Sequence, residues 1–576
     1  MSSAAICMWR TPRKVITAEN GVTKMKDIPS DTPHLEWSKH RAAKAEKLRR
    51  MLHIAKGKII APEKMTEALE ILIAPGERVV LEGDNQKQAS FLSQSLANVD
   101  PEKVNHLNMV ISSVSRPEHL DIFESGIAGK LDFSYSGAQS NRLAKMIDNG
   151  SITIGAIHTY LELYGRMFVD LIPDVALVAA DMGDAEGTLY TGCNTEETPV
   201  IAEAAAFHDG IVIAQVNKLE KNLPRVDIPG SWVDFVVEAD YPYQLEALFT
   251  KDPAQITDVQ VLMAMMVIRG IYERHHVVSL NHGVGFNTAA IELLLPTYGQ
   301  SLGLKGQICR NWALNPHPTL IPAIESGWVE SVYCFGGEVG MEKYIAHRPD
   351  VFFTGRDGSM RSNRLLCQIA GLYGTDLFIG STLQMDPYGN SSTVTSGRLA
   401  GFGGAPNMGS DPHGRRHGTP AWLSMRTSDS PLERGRKLVV QMVETFQQGN
   451  VPVFVEKLDA ESVGKKAHLP LAPVMVYGDD VTHVVTEEGI AYLYKAPNLE
   501  TRINALKAIA GVTDFGRSRD WTMTEMLRKD GIVAYPEDLG IKRTDANRSL
   551  LAAKDISELV EWSGGLYEPP AKFRNW

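Results

Sequence analysis

Apolar residues along this chain fall into short runs of strand length, with turn-forming residues at their ends and helix-like stretches between them. The first run, in Pro75-Gly76-Glu-Arg-Val-Val-Leu-Glu-Gly83, is bracketed by breakers on both sides. The pattern recurs at residues 107–112, 152–155, 175–179 and 210–216. Runs that are apolar at successive positions predict strands buried on both faces, and helical crossovers between them predict a mainly parallel sheet. A helical stretch at 259–272 is followed by a restart of the pattern at 277–280, closed by Gly283 and Gly285. It continues at 331–335, 351–354 and 375–380, with later strands predicted at 451–455, where Pro452 suggests an edge, and at 473–477.

The expected architecture is therefore α/β, with two similar lobes, each built on a mainly parallel sheet flanked by helices. A faint internal echo supports the pairing: Asp174-Val-Ala-Leu-Val and Asp376-Leu-Phe-Ile-Gly each start a strand at an aspartate. Residues 1–35 read as a loose tail, 36–250 as the first lobe, 251–510 as the second and 511–576 as a C-terminal extension. Residues 36–55 are basic and rich in helix formers, which predicts a surface helix. Two facing copies of one fold would place a site in the cleft between them.

Composition narrows the function. The chain has 576 residues, too many for one hydrophobic core, and its 44% hydrophobic and 22% charged content suits large folded domains. A formal charge of −11 argues against a nucleic-acid binder, which needs a concentrated basic face. The cysteines, Cys7, Cys193, Cys309, Cys334 and Cys367, are odd in number and scattered, which predicts reduced thiols in a cytoplasmic setting and no zinc site. No apolar run approaches the ~20 residues that span a bilayer, and the N-terminus lacks a secretory pattern.

Several loops could carry chemistry. In Gly401-Phe-Gly403-Gly404-Ala-Pro-Asn407-Met-Gly409, closely spaced glycines let backbone N–H groups converge on a phosphate or an oxyanion, or simply make a tight turn. Neither a GxGxxG after a strand nor a P-loop is present, and Gly389-Asn-Ser391-Ser-Thr393 lacks the second glycine of a nucleophile elbow. Asn281-His282-Gly283-Val284-Gly285 is a second such loop, before a predicted helix, with His282 an acid or base, or a structural hydrogen-bonder. Arginines in glycine-rich surroundings, Arg356 and Arg361 foremost, with Arg364, Arg398, Arg415 and Arg416, suit recognition of a carboxylate. In the first lobe, Gly83-Asp-Asn85-Gln86-Lys-Gln88 and Gln215-Val-Asn217 end strands, where amides bind an extended arm or cap loops. Thr486-Glu-Glu-Gly489 holds two carboxylates that could supply a nucleophile or start a helix.

The residues Asp184-Ala-Glu-Gly187, Gln215-Val-Asn217, Pro224-Arg225, Gly401-Phe-Gly403-Gly404 and Val485-Thr-Glu-Glu-Gly489 resemble CoA-transferases of the acetate and 4-hydroxybutyrate type. Longer strings resemble the alpha subunits of malonate decarboxylases: Leu81-Glu-Gly-Asp-Asn-Gln-Lys-Gln88, Pro229-Gly-Ser-Trp-Val-Asp-Phe235, Asn315-Pro-His-Pro-Thr-Leu-Ile-Pro-Ala323 and Tyr567-Glu-Pro-Pro-Ala-Lys-Phe573. This resemblance implies a transferase that converts an acetyl-S-carrier and malonate into a malonyl-S-carrier and acetate. It implies a phosphoribosyl-dephospho-CoA arm on a partner acyl carrier protein, no cofactor bound covalently to this chain, and decarboxylase subunits in the same complex. The CoA-transferases attack the thioester with a glutamate, whose place here falls to Asn311, an amide that cannot do so. The expected site then has Gly403, Gly404 and Asn311 as oxyanion donors, Arg356, Arg361 and His282 at malonate, and Gly83, Asn85, Gln86, Gln215, Asn217, Gly283 and Gly285 along the carrier arm. The alternatives are a citrate-lyase-like or free-CoA transferase using Glu487 or Glu488 covalently, and a non-catalytic scaffold that seats the carrier.

Overall fold

The computed structural model describes residues 34–84, 86–243, 245–413, 415 and 418–574. Asn85, Arg416 and residues 1–33 of the expected tail lie outside these; the basic helix runs His34–Arg50.

The first sheet contains β1 (Ile59–Ile60), β2 (Arg78–Leu81), β3 (Leu107–Ser113), β4 (Ala128–Tyr135), β5 (Thr153–Ile157), β6 (Val175–Gly183), β8 (Ile211–Leu219) and β9 (Phe235–Glu238). They pair in the order β1-β9-β8-β6-β2-β3-β4-β5, all parallel, with a short antiparallel β7 (Leu189–Tyr190) on β6. The second sheet contains β10 (Ser279–His282), β11 (Asn311–Ala313), β12 (Ser331–Tyr333), β13 (Leu377–Gly380), β14 (Leu438–Met442) and β15 (His483–Val485), in the parallel order β12-β11-β10-β13-β14-β15. An antiparallel pair, β16 (Ile490–Tyr492) and β17 (Val533–Ala534), closes its far edge. The most apolar runs are the central strands: the first six residues of β6 and all of β14 are fully buried, as burial on both faces requires.

Both sheets share one order about their centre, β4-β3-β2-β6-β8 in the first and β12-β11-β10-β13-β14 in the second. The aspartate echo has a physical cause in that repeat. Asp174 and Asp376 each precede the strand beside the first strand of their unit, and their carboxylates bond the start of that first strand, at Arg78 N (2.8 Å) and Ser279 Oγ (3.1 Å). Three predicted strands are not strands of either large sheet. Val451–Pro452 forms a small hairpin with Phe446–Gln447, residues 351–354 contribute single bridges, and 473–477 bridge only through Val476 to Ser391. Beyond the second sheet, Ile541, Leu551, Ile556, Leu559 and Tyr567 pack into the second lobe's core.

The lobes are fastened by a strap. Ala400 and Gly401 run beside the end of β4: Ser136 N donates to Ala400 O (2.8 Å), and the N–H groups of Phe402 and Gly403 both donate to Ser134 O (2.7 and 2.9 Å). Gly401 has φ +75° and packs directly on Ser134 O, so a side chain at 401 would meet backbone.

Candidate active site between the lobes

A cavity of about 240 Å³ lies where the C-terminal ends of the two sets of strands meet, the usual position for a ligand in parallel sheets. The first lobe contributes Asp84 and Gln86 after β2, Tyr135 at the end of β4, and Tyr160. The second contributes His282 at the end of β10 with Gly283 and Val284 after it, Asn315 after β11, Gly380 at the end of β13, and Gly401 to Gly404 of the strap. Arg364 and Gln368 project from the helix Arg364–Tyr373. A second recess of about 190 Å³, lined by Gly285, Phe286 and Asn287, shares Gly283, Val284, Gly380 and Ser381 with the first.

The strap is therefore at the cavity, but its two glycines differ. The Gly403 N–H is already donated to Ser134 O and cannot hold an oxyanion, whereas the Gly404 N–H has no acceptor among the described residues. Asn311 is displaced altogether. It sits at the first residue of β11, the end away from the cleft, where its Oδ1 accepts from Ser331 Oγ at 2.8 Å. The amide that the strand delivers to the cavity is Asn315, whose Nδ2 donates to Gly337 O at 3.2 Å.

Arg356 and Arg361 are exposed on the hairpin before the helix and do not line the cavity. Its cation is Arg364, buried at 4% exposure. Nη2 bonds Glu196 Oε2 at 2.6 Å, Nη1 lies 2.5 Å from Asp84 Oδ2 off the hydrogen-bond axis, and the guanidinium covers the Tyr160 ring at 4.6 Å. Burial pushes the Glu196 carboxyl up to about 8 and Glu197 up to about 7, with the Arg364 charge opposing in both. Burial thus favours the neutral form of Glu196, while the Arg364 guanidinium beside it favours the charged one.

His282 touches the cavity, yet both ring nitrogens are engaged: Nδ1 with Glu292 at 2.9 Å and Nε2 with the Tyr272 hydroxyl at 2.8 Å. Glu292 also takes His317 Nδ1 (2.8 Å) and Thr319 Oγ1 (2.5 Å). Burial alone would raise its carboxyl, but the two histidines outweigh it and hold it at about 2. Through Glu292, His282 ties the end of β10 to the loop after β11.

Of the expected arm residues, Gln86 and Gly283 line the cavity and Gly285 the recess. Gly83 packs against Ile111 and His119. Gln215 Oε1 accepts from Phe91 N and Leu92 N (2.9 and 3.1 Å), and Asn217 Oδ1 from Tyr243 N (3.0 Å), so both brace the first lobe instead. Lys87 is buried against Thr198 and Glu82. Glu487 is bonded to Thr445, Glu488 lies 3.7 Å from Arg543, and neither lines the cavity.

Sequence reasoning weighed Arg364 and passed over Gln368. The signal was present: Asn363 caps the helix, accepting from Leu366 N at 3.0 Å, and the next residue and the one four further on share a face.

Two mainly parallel sheets of one strand order face each other across a ligand-sized cavity, an α/β architecture shared with known two-lobed proteins. A Streptococcus mutans chain solved as the citrate lyase alpha subunit in complex with citrate superposes with TM-score 0.55 over 79% of this chain and 82% of that one, at 17% identity, a likeness of fold alone. Sequence sets the family: the model for malonate decarboxylase, alpha subunit, transporter matches residues 36–576. The chain belongs to that family. It is 59% identical over 526 residues to an acetyl-S-ACP:malonate ACP transferase of Malonomonas rubra, covering 90% of this chain and 95% of that one. It is also 66% identical, with TM-score 0.93, to a chain of a Pseudomonas malonate decarboxylase hetero-tetramer solved in complex with malonate, covering 94% and 100% of the two chains.

Proposed function

We propose that this chain exchanges acetyl for malonyl on the thioester of an acyl carrier protein, releasing acetate, within a malonate decarboxylase assembly. The observation that carries the reading is the inter-lobe cavity, where an unbonded strap amide and a buried arginine face one space. Among the described residues that line it no glutamate appears, and its one carboxylate, Asp84, is held 2.5 Å from the Arg364 guanidinium. The incoming acid's own carboxylate then acts as nucleophile. A malonate oxygen attacks the acetyl carbonyl, the carrier thiolate leaves, and a mixed acetyl–malonyl anhydride forms. The thiolate attacks the malonyl carbonyl, and acetate departs with the bridging oxygen.

Each addition puts negative charge on a carbonyl oxygen. The Gly404 N–H is unbonded before reaction, and one oxyanion donor is worth ~3–4 kcal/mol in comparable sites. Arg364 supplies the positive charge for the carboxylate that does not react, replacing Arg356 and Arg361 in that role. The recess fits a pantetheine-like arm: Gly285 leaves open space beside the backbone, and the buried Asn287 Oδ1 has no partner and suits an arm amide N–H. We take the arm to be a phosphoribosyl-dephospho-CoA group on the partner carrier, and the cytoplasm as the setting in view of the unpaired thiols. Incubating the purified chain with acetylated carrier and malonate should release acetate and leave malonyl on the carrier by mass spectrometry. Unchanged acetyl-carrier would refute the reading and favour a scaffold.

A further inference from the structure

An oxyanion site with a single backbone amide is sparse, and the cavity contains a second group in the same condition. Gln368 is 3% exposed and lines the cavity. Its Oε1 is buried with no hydrogen-bond partner, and its Nε2 has no acceptor among the described residues. Leaving a buried carboxamide unbonded costs about 1–3 kcal/mol. Folded proteins leave few such groups, and one in a cavity wall signals a missing partner.

The geometry says where that partner goes. Gln368 lies one helical turn after Arg364, on the same face. Its carboxamide rests on Gly404 so closely that a Cβ at 404 would collide with Nε2 and sit 2.9 Å from Oε1. Gly404 has an ordinary backbone conformation, with φ −89°. Glycine there is therefore explained by the room that the carboxamide takes, and not by strain. Two unbonded donors, the Gly404 N–H and the Gln368 amide, thus adjoin each other in the wall that also carries Arg364.

We infer that Gln368 is a catalytic residue of the acyl exchange, its side-chain amide donating with the Gly404 N–H to the carbonyl oxygen of the thioester as that oxygen becomes charged. The inference rests on the proposed transferase reading and adds a residue to it. The carboxamide is neutral and loses no proton in either addition; it serves both tetrahedral intermediates in turn. Its poor satisfaction in the free protein is the counterpart of that readiness, a local loss of stability retained for function.

That counterpart separates a catalytic role from a structural one. Gln368→Met keeps the side chain's length and removes both polar atoms. It should lower kcat about 10²–10³-fold, the usual effect of losing one oxyanion donor, while KM for malonate stays within about threefold because the interaction is made in the transition state. Its thermal midpoint should equal or exceed that of wild type, since nothing bonded is lost. Gln368→Glu, with a carboxylate in place of the donor, should be slower still, and Ile369→Ala, on the exposed side of the same helix, should behave as wild type. Wild-type kcat in a folded Gln368→Met protein would overturn the assignment. So would a lowered midpoint with KM rising as kcat falls, the mark of a packing role. Failure of the wild-type chain itself to release acetate would instead remove the transferase reading, and this inference with it.

Discussion

Gly401→Ala tests the strap that delivers the site. Residue 401 sits at φ +75°, a conformation that costs a non-glycine residue about 1–2 kcal/mol. The new Cβ would also collide with Ser134 O and stand 3.0 Å from the Ser134 carbonyl carbon and 3.1 Å from a Phe133 ring carbon. Because the obstacles are backbone and a buried ring, relief requires moving the strap, and such overpacking adds about 1–3 kcal/mol. The sum is a loss of about 2–5 kcal/mol, read as a lower urea midpoint at unchanged slope. The strap cannot move without taking Gly404 with it, so acetate release should fall by more than tenfold even where the variant is fully folded. Gly397→Ala, four residues earlier with nothing within 4 Å of its Cβ, is the control and should match wild type in both assays. A Gly401→Ala protein with wild-type midpoint and rate would refute the reading of the strap as the element that fixes the site.

Arg364→Met leaves Asp84 and Glu196 buried without their cation, which should cost about 3–5 kcal/mol in unfolding and raise KM for malonate. Arg356→Ala and Arg361→Ala, both exposed and outside the cavity, should leave malonate kinetics within about twofold of wild type. The Glu196 carboxyl, lifted from 4.5 to about 8, binds its proton more tightly in the folded chain than in the unfolded one, so its contribution lowers stability as pH rises from about 4.5 to about 8. Glu196→Gln should flatten the stability profile over that window, measured by thermal unfolding in matched buffers. Glu292 has the opposite sign: its carboxyl, lowered from 4.5 to about 2, stabilises above pH 4.5 and loses that contribution as pH falls toward 2. Glu292→Gln should therefore be less stable than wild type at pH 7 and approach it in acid.

The hydrophobic runs made the core strands legible because strands buried on both faces are apolar at successive positions, as in Val175 to Ala180 and Ile211 to Ala214. Ala128–Tyr135 was harder to read: it carries Lys130, Asp132 and Ser134 within a strand of the same sheet. Of the loops predicted to carry chemistry, those at 83–88, 281–285 and 401–404 meet at the cavity, whereas 215–217, 354–361 and 486–489 do not line it. Residue roles were less legible, because they depend on which hydrogen bonds the fold already uses. Gly403 and Gly404 are neighbours of the same type, yet only the first meets Ser134 O. Asn311 and Asn315 lie on one strand and its exit, and only a knowledge of the strand's direction sets the second in the cleft. Glu196, which joins Arg364 across the lobes, has no sequence pattern beyond a pair of acids before a helix.

The most direct test is a single turnover with malonate labelled with ¹⁸O in its carboxylates and the chain in excess over acetyl-carrier. If malonate attacks the thioester itself, the anhydride passes its bridging oxygen to the leaving acid, and the acetate released in that first turnover carries one ¹⁸O. If a side-chain carboxylate of the protein attacks first, the oxygen comes from the protein, and unlabelled acetate would contradict the account.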